Sequence, residues 1–180
     1  MKTERLYYVD SFLREFEARV ISCESRGAQF HVVLDRTAFY PTSGGQPHDT
    51  GQLGNATVVD VTEREDGVIV HVTDRSLESG PVHGTIDWQR RFDHMQQHTG
   101  QHLLSAAFVE LFKMPTVSFH LGGESSTIDL AGASLSEDQA EAAERLTNQI
   151  IFEDHTVEVR YGTREELAAA GVRKEVDREG

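Results

Sequence analysis

Short runs of alternating or β-branched apolar residues dominate the first half of the chain and predict β-strands. Two such runs occupy residues 17–21 and 30–34, and two more, rich in Val and Thr, occupy residues 55–62 and 68–73. The last two runs are joined through Asp66-Gly67, a dipeptide that accommodates the positive φ angles of a tight hairpin. Several short strands within about 85 residues predict a small β-barrel.

The periodicity changes to that of a helix at Asp87, which we predict to be an N-cap. Residues 88–112 contain no Pro and a single Gly, and Pro115 follows them. Because the apolar residues of this segment fall on more than one face, we expect a long helix that is largely buried. These residues are Phe92, Met95, Leu103, Leu104, Ala107, Phe108 and Leu111.

A hairpin and a second helix are predicted to follow. Residues 116–121 and 126–130 have strand character and are separated by Gly122-Gly123. Ser136, with Gln139 three positions later, forms the capping-box pattern that begins a helix.

The last part of the chain predicts one more strand and one more helix. Residues 156–161 have strand character, and Thr163 with Glu166 forms a second capping-box pattern. Gly171 stands where the residue after a short helix is expected.

Together these elements predict an α+β fold. We expect a β-barrel domain over residues 1–86 and a second domain over residues 87–180, in which helices pack on an antiparallel sheet. The boundary follows from the change in periodicity.

The charge balance bears on possible partners. The net charge is −13, from 30 acidic and 17 basic residues. This balance argues against non-specific binding to nucleic acid, because phosphate contacts depend on clustered Lys and Arg. A specific RNA partner needs only a local basic patch, for which Arg90-Arg91 and Arg173-Lys174 with Arg178 are candidates. The alternative is that these side chains are ordinary solvent-exposed charges without a partner role.

The apolar content indicates a cytoplasmic protein. No apolar run approaches the ~20 residues needed to cross a bilayer, and the first residues lack the core of a signal peptide. We therefore expect no membrane contact.

Cys23 is the only cysteine, so it cannot form an intramolecular disulfide, and we expect it to fill a strand rather than bind metal.

Two of the nine histidines, His98 and His102, form an H-x-x-x-H pattern inside the predicted long helix. Four residues advance a helix by about 400°, so both imidazoles leave the same face and could bind one zinc ion. The alternative is a pair of half-buried, hydrogen-bonded histidines. Thr99 stands where the H-E-x-x-H motif requires a Glu, so a metalloprotease of that type is excluded.

Three segments resemble one known family. Residues 90–105, R-R-F-D-H-M-Q-Q-H-T-G-Q-H-L-L-S, resemble the signature helix of the alanyl-tRNA editing family, which includes the editing domain of alanyl-tRNA synthetase. Residues 34–51, L-D-R-T-A-F-Y-P-T-S-G-G-Q-P-H-D-T-G, resemble its aromatic and glycine-rich loop. Residues 118–122 and 126–130 resemble the hairpin beside its active site.

This resemblance implies a barrel like those of translation factors, an editing domain after it, and a zinc ion. The zinc would be held by His98, His102 and a later C-x-x-x-H pair, and the sequence carries only the first two of these four ligands. Three accounts are open: a truncated protein, a substitute ligand such as His94 or His120, and a protein without metal dependence. We favour truncation, because the missing segment would supply sheet strands whose loss exposes an edge beside the site.

The reaction that the resemblance implies is zinc-dependent hydrolysis of seryl- or glycyl-tRNA charged on alanine tRNA. Ser43, Gly44, Gly45, Gln46 and His120 are the candidate substrate-binding residues, although Gly-Gly followed by Gln-Pro is also common in ordinary turns. A hydroxyl in the site that hydrogen-bonds the serine side chain would favour serine over alanine. Thr127 and Ser126 are the candidates for this hydroxyl, and we name Thr127 as the candidate catalytic residue. The alternative for both is a strand hydroxyl without a role.

Two other functions remain open at this stage. One is a tRNA-binding relative or fragment without catalysis, and the other is a metal-dependent hydrolase of a small ester or amide. Met1 leads almost directly into the barrel strands, so we expect a freestanding protein rather than part of a synthetase.

Overall fold

The computed structural model of the protein describes residues 2–123, 125–132, 134–159 and 162–170. Within these residues the chain forms ten strands, three α-helices and a 3-10 turn at Leu6–Tyr8. The strands are β1 (Glu4–Arg5), β2 (Glu15–Arg26), β3 (Gln29–Leu34), β4 (Arg36–Thr37), β5 (Gly51–Leu53), β6 (Ala56–Glu63), β7 (Ile69–Thr73), β8 (Gly80–Ile86), β9 (Thr116–Leu121) and β10 (Ser126–Leu130). The helices are α1 (Trp88–Phe112), α2 (Glu137–Phe152) and α3 (Arg164–Ala169).

Six strands close into the predicted barrel in the order β2-β3-β7-β6-β5-β8, and β8 pairs with β2. All six pairings are antiparallel. In β2 the residues Phe16, Ala18 and Val20 are buried while their neighbours are exposed, as an alternating pattern requires. Cys23 also lies in β2, as predicted, half-buried against the barrel core.

The strands β5 and β8 were not predicted, yet they complete the barrel. Gly and Pro in G-P-V-H-G-T-I weaken the strand pattern of β8. Gly84 is nevertheless required, because a Cβ there would lie 2.4 Å from the ring of Phe16. Close packing against Phe16 inside the barrel therefore requires Gly84, although glycine lowers strand propensity.

Helix α1 begins and ends where predicted. Asp87 caps it by accepting a hydrogen bond from the Arg90 N–H at 3.2 Å, and Lys113 ends it in the left-handed region with φ of 57°. The barrel ends at Ile86, one residue before this cap, although a division of the chain into domains there stays a prediction.

The expectation that α1 is largely buried was wrong. Of its predicted apolar residues only Ala107 and Phe108 are buried, while Phe92 is 39% and Leu111 42% exposed. The last turns of α1 pack on α2 around Ala107 and Phe108, and Phe92 and Leu111 lie outside that small core.

The second half confirms an α+β fold. β9 and β10 form the predicted antiparallel hairpin, and α2 begins with the predicted capping box at Ser136 and Gln139. A second small core joins α1 to α2 through Ala107, Phe108 and Ala143. The helix α3 begins at the predicted capping box of Thr163 and Glu166, and Gly171 lies outside the described residues.

The strand predicted at residues 156–161 was wrong for the part that is described. Residues 156–159 form no strand there, and Val157 and Val159 are 77% and 74% exposed. Residues 160 and 161 lie outside the described residues. A β-branched pattern needs a partner strand for its backbone hydrogen bonds, and none pairs with this segment in the described part of the chain.

No helix in the described part of the chain is long and apolar enough to cross a membrane.

Candidate active site

His98 and His102 lie on the same face of α1, as their spacing predicts. Their imidazole rings stack with centroids 5.0 Å apart and an angle of 17° between the planes. His98 is half-buried and His102 is exposed. Burial, and after it the neighbouring His102, lower the pKa of His98 below its ordinary value. His98 is therefore neutral at pH 7, which is the form that donates a lone pair.

Gln46 fixes the tautomer of His98. Nδ1 of His98 lies 2.8 Å from Oε1 of Gln46, and the Gln46 side chain is buried. Because an amide oxygen only accepts, Nδ1 carries the proton and donates it, which leaves the lone pair on Nε2. An imidazole that donates its other N–H to a fixed acceptor is typical of metal-ligating histidines.

The glycine-rich loop brings Gln46 to α1. Ser43 and Gln46 exchange two backbone hydrogen bonds of 3.1 Å and 3.0 Å, and Gly45 between them has φ of 82°. A Cβ at Gly45 would lie 2.6 Å from the carbonyl oxygen of Phe119, and Leu121 N donates to Gly45 O at 3.1 Å. At Gly45 the backbone of the loop therefore lies directly against β9.

A cavity of about 600 Å³ opens between α1, β9 and this loop. We call it the histidine cavity. Ser105 is fully buried in its wall, where Oγ accepts hydrogen bonds from Gln101 Nε2 at 2.6 Å and Thr116 Oγ1 at 2.7 Å. The cavity is lined by Gly44, His98, Gln101, His102, Ser105, Val109, Pro115, Thr116, Val117, Ser118 and Phe119.

The other predicted site residues lie beside this cavity rather than in its wall. Thr127 and Ser126 on β10 line a second cavity of about 160 Å³, which shares Gln101 and Phe119 with the histidine cavity. His120 is exposed on β9, directly opposite Thr127 in the hairpin register. The structure thus brings Gly44 and Gln46 to the histidines, and it places Thr127 and His120 on the neighbouring hairpin.

The donors present fit half of a tetrahedral metal site. His98 and His102 offer two imidazoles on one face, but the described residues contain no group of three His, Cys, Asp or Glu side chains that could hold a metal ion. The account in which His94 or His120 replaces a missing ligand therefore finds no support among the described residues. His94 is buried near Asp49 and Arg90, and His120 is exposed on β9.

A buried ion pair that the sequence did not reveal holds α1 against the barrel. Arg91 is 2% exposed and its Nε donates to both carboxylate oxygens of Asp49 at 2.9 Å. Its Nη1 donates to Ser11 O at 3.1 Å. The only signal was an Asp in the glycine-rich segment and an Arg in the helix, 42 positions apart, which periodicity cannot pair.

This ion pair corrects the prediction of a basic patch at Arg90-Arg91. The Arg91 guanidinium is buried in this ion pair and does not reach the surface. Nε of half-buried Arg90 donates to His48 O at 3.0 Å. Arg173, Lys174 and Arg178 lie outside the described residues.

Comparison with known proteins identifies similar chains. The family model described as tRNA synthetases class II (A) matches residues 9–90, which include the barrel from β2 to β8 and the glycine-rich loop. Alanyl-tRNA editing protein Aarsd1 of Mus musculus is 40% identical over 165 residues, or 84% of this chain and 40% of the relative. Alanyl-tRNA editing protein AlaX-L of Pyrococcus horikoshii is 36% identical over 181 residues, or 96% of this chain and 45% of the relative.

A longer relative shares the same region. Alanine–tRNA ligase of Pyrococcus furiosus is 37% identical over 166 residues, or 86% of this chain and 18% of the ligase. This chain therefore spans less than half the length of the curated relatives described above.

Proposed function

This chain belongs to the alanyl-tRNA editing protein family, and we propose that it hydrolyses tRNA that carries the wrong amino acid. The substrate would be alanine tRNA charged with serine or glycine, and the products would be the free amino acid and the tRNA. Water is the nucleophile that breaks the ester. The observation that carries this proposal is the pair His98 and His102 beside a cavity, with His98 fixed by Gln46.

Zinc is the metal that this donor set would take. His98 through Nε2 and His102 through its imidazole would provide two of four ligands, and the other two would come from outside the described residues. The chemistry that such an ion supplies when bound is Lewis acidity, which polarises an ester carbonyl and lowers the pKa of water. Because Gln46 holds the proton on Nδ1, His98 presents Nε2 without a tautomer change.

The histidine cavity would hold the aminoacyl group. Its wall combines apolar side chains with the linked hydroxyls of Ser105 and Thr116 and the amide of Gln101. A hydroxyl or amide in the wall that bonds the serine hydroxyl would favour serine over alanine, because alanine leaves that group unpaired. The catalytic role of Thr127 and the substrate-binding roles of Ser43, Gly44, Gly45, Gln46 and His120 stay predictions.

A second candidate function is a tRNA-binding relative without catalysis. It is favoured by the fact that the described part of the chain supplies two metal ligands rather than three or four. Tight binding of mischarged tRNA without turnover distinguishes it from the editing enzyme.

The proposed function is tested by zinc content and deacylation in the same preparations. We expect about one zinc per chain by elemental analysis and hydrolysis of seryl-tRNA made on alanine tRNA. His98→Ala and His102→Ala should each lose the zinc and lower the deacylation rate by about 100-fold or more. His155→Ala is the matched control, because His155 is an exposed histidine that pairs with Glu153 at 2.8 Å and lies outside the histidine cavity.

Retention of zinc and of full activity in both histidine variants would overturn the proposal. Binding without turnover in the parent would establish the second candidate instead. A small activated ester, hydrolysed at the same rate as the tRNA ester, would point to an unspecialised hydrolase.

A further inference from the structure

An aromatic cluster with one cation lies where α1 leaves the barrel. We call Phe12, Arg14, Trp88 and Phe92 the aromatic patch. The rings of Trp88 and Phe92 stack with centroids 5.4 Å apart and 27° between their planes, and Phe12 lies 5.8 Å from Trp88. The Arg14 guanidinium lies 4.3 Å from the centroid of the Trp88 ring. The patch therefore presents π-surfaces and a cation together.

The patch is open to solvent rather than part of a core. Phe12 is 58% and Phe92 39% exposed, and neither belongs to the two buried clusters of the described residues. Arg14 is exposed and makes no ion pair within the described part of the chain. Two exposed phenylalanines beside an unpaired guanidinium make an interaction surface a better account than packing.

The patch is continuous with the candidate active site along one face of α1. At 100° per residue, Trp88, Phe92, Met95, Thr99 and His102 fall within about 80° of one another. Phe92, Thr99 and His102 in this row are exposed and the other two are half-buried. At 1.5 Å per residue, His102, the last residue of this row, lies about 15 Å along the axis from Phe92. That distance matches about four stacked bases at 3.4 Å each.

We propose that the aromatic patch stacks the unpaired bases of the tRNA acceptor end and so leads the aminoacyl group to the histidine cavity. This inference rests on the proposed function. Every base has a π-face, so stacking on aromatic rings with an added Arg binds single-stranded RNA without a specific sequence. The charge of the chain favours this mode, because a net charge of −13 opposes extensive phosphate contacts, and Arg91 in α1 is buried in an ion pair.

Trp88 is the only tryptophan, so its fluorescence reports on the patch directly. We would titrate the protein with uncharged alanine tRNA and with the single-stranded ribonucleotide A-C-C-A, and expect saturable quenching of the Trp88 emission. Phe12→Leu combined with Phe92→Leu should raise the Kd by about tenfold or more, because leucine keeps the apolar contact but lacks a π-face. Arg14→Gln should raise it by about threefold.

Phe152→Leu is the matched control, because Phe152 is 89% exposed at the end of α2 and lies outside the patch. It should leave the Kd unchanged. The thermal unfolding midpoint of each variant shows whether it folds, and the single variants Phe12→Leu and Phe92→Leu replace the double variant if that one does not.

Absence of quenching, or a Kd that the leucine variants do not change, would overturn the inference. Quenching that depends on protein concentration without RNA would also overturn it and assign the patch to contacts between copies of the chain. Because the probes are uncharged, this readout needs neither zinc nor turnover. A parent chain that shows quenching but no deacylation would refute the proposed function. A parent chain that deacylates, with patch variants whose Kd is unchanged, would refute this inference alone.

Discussion

At the scale of single residues, His71 shows how one buried polar group constrains the barrel. Its side chain is fully buried, with Nε2 2.8 Å from Thr37 Oγ1 and Nδ1 3.2 Å from Val32 O. Because a carbonyl only accepts, Nδ1 carries the proton, and Nε2 accepts from the Thr37 hydroxyl. Burial lowers the pKa of His71 to about 4 from an ordinary value of 6.5. The imidazole is thus held neutral inside the barrel.

This histidine makes stability depend on pH. Since its folded pKa lies below its unfolded pKa, the unfolded chain binds the proton first as the pH falls. The free energy of unfolding should be at its full value above pH 6.5 and should fall between pH 6.5 and about 4. We expect a loss of about 2 to 3 kcal/mol between pH 7.5 and pH 4.5 from this one group.

Urea unfolding of the parent and of His71→Gln at both pH values measures this effect. Gln retains hydrogen bonding but does not titrate, so the difference between the two chains isolates His71 from the other histidines and the carboxylates. An equal loss of stability in both chains would contradict the prediction.

At the scale of elements, the contact between the glycine-rich loop and β9 aligns the candidate site. Gly44 and Gly45 both have positive φ, of 60° and 82°, but their surroundings differ. No atom would lie within 4 Å of a Cβ at Gly44, whereas a Cβ at Gly45 would meet the Phe119 carbonyl at 2.6 Å. Gly45 therefore serves a close approach between two elements, whereas the space beside Gly44, at the edge of the histidine cavity, is open.

Alanine at these two positions separates the two roles. Gly44→Ala should cost about 1 to 2 kcal/mol of unfolding free energy, the ordinary penalty for positive φ. Gly45→Ala should cost about 1 to 3 kcal/mol more, because the loop must also move away from β9. Since Gln46 would move with it, we expect zinc affinity to fall by about 10-fold or more in Gly45→Ala and to stay unchanged in Gly44→Ala. Urea unfolding and zinc titration measure these effects, and equal losses of stability and of zinc affinity in both variants would contradict this account.

At the scale of the whole molecule, the pair Asp49 and Arg91 joins the barrel to α1. Both side chains are buried, and Asp49 Oδ2 also accepts from Tyr40 N at 2.6 Å. Arg91 further donates to the carbonyls of Ser11 and Ala38. The start of α1 is thereby fixed to two separate segments of the N-terminal half, and the position of His98 relative to the glycine-rich loop depends on this anchor.

Replacing Arg91 alone should lower the free energy of unfolding more than neutralising both partners of the ion pair. Arg91→Met leaves Asp49 buried without a counter-ion, and we expect a loss of about 3 to 5 kcal/mol in urea unfolding. The double variant Arg91→Met with Asp49→Asn should recover part of this loss, because Asn is neutral and still accepts from Tyr40. Arg90→Met is the matched control and should cost about 1 kcal/mol, since Arg90 makes one hydrogen bond to His48. A double variant less stable than Arg91→Met would contradict this account.

The sequence by itself determined the local elements and the chemistry they carry. The cap at Asp87, the capping boxes at Ser136 and Thr163, and the hairpin of β9 and β10 all stand where they were predicted. The four-residue spacing alone placed His98 and His102 on one face. These features depend on residues within one or two turns of each other, and such short-range rules are readable from a pattern.

Only the tertiary structure decided which distant segments meet. It closed the barrel through β5 and β8, paired Arg91 with Asp49, set Gln46 against His98, and left residues 156–159 without a partner strand among the residues that the structure describes. Each outcome is a contact, or the lack of one, between groups far apart along the chain. Burial and pairing depend on what the rest of the fold brings close, and local periodicity does not contain that information.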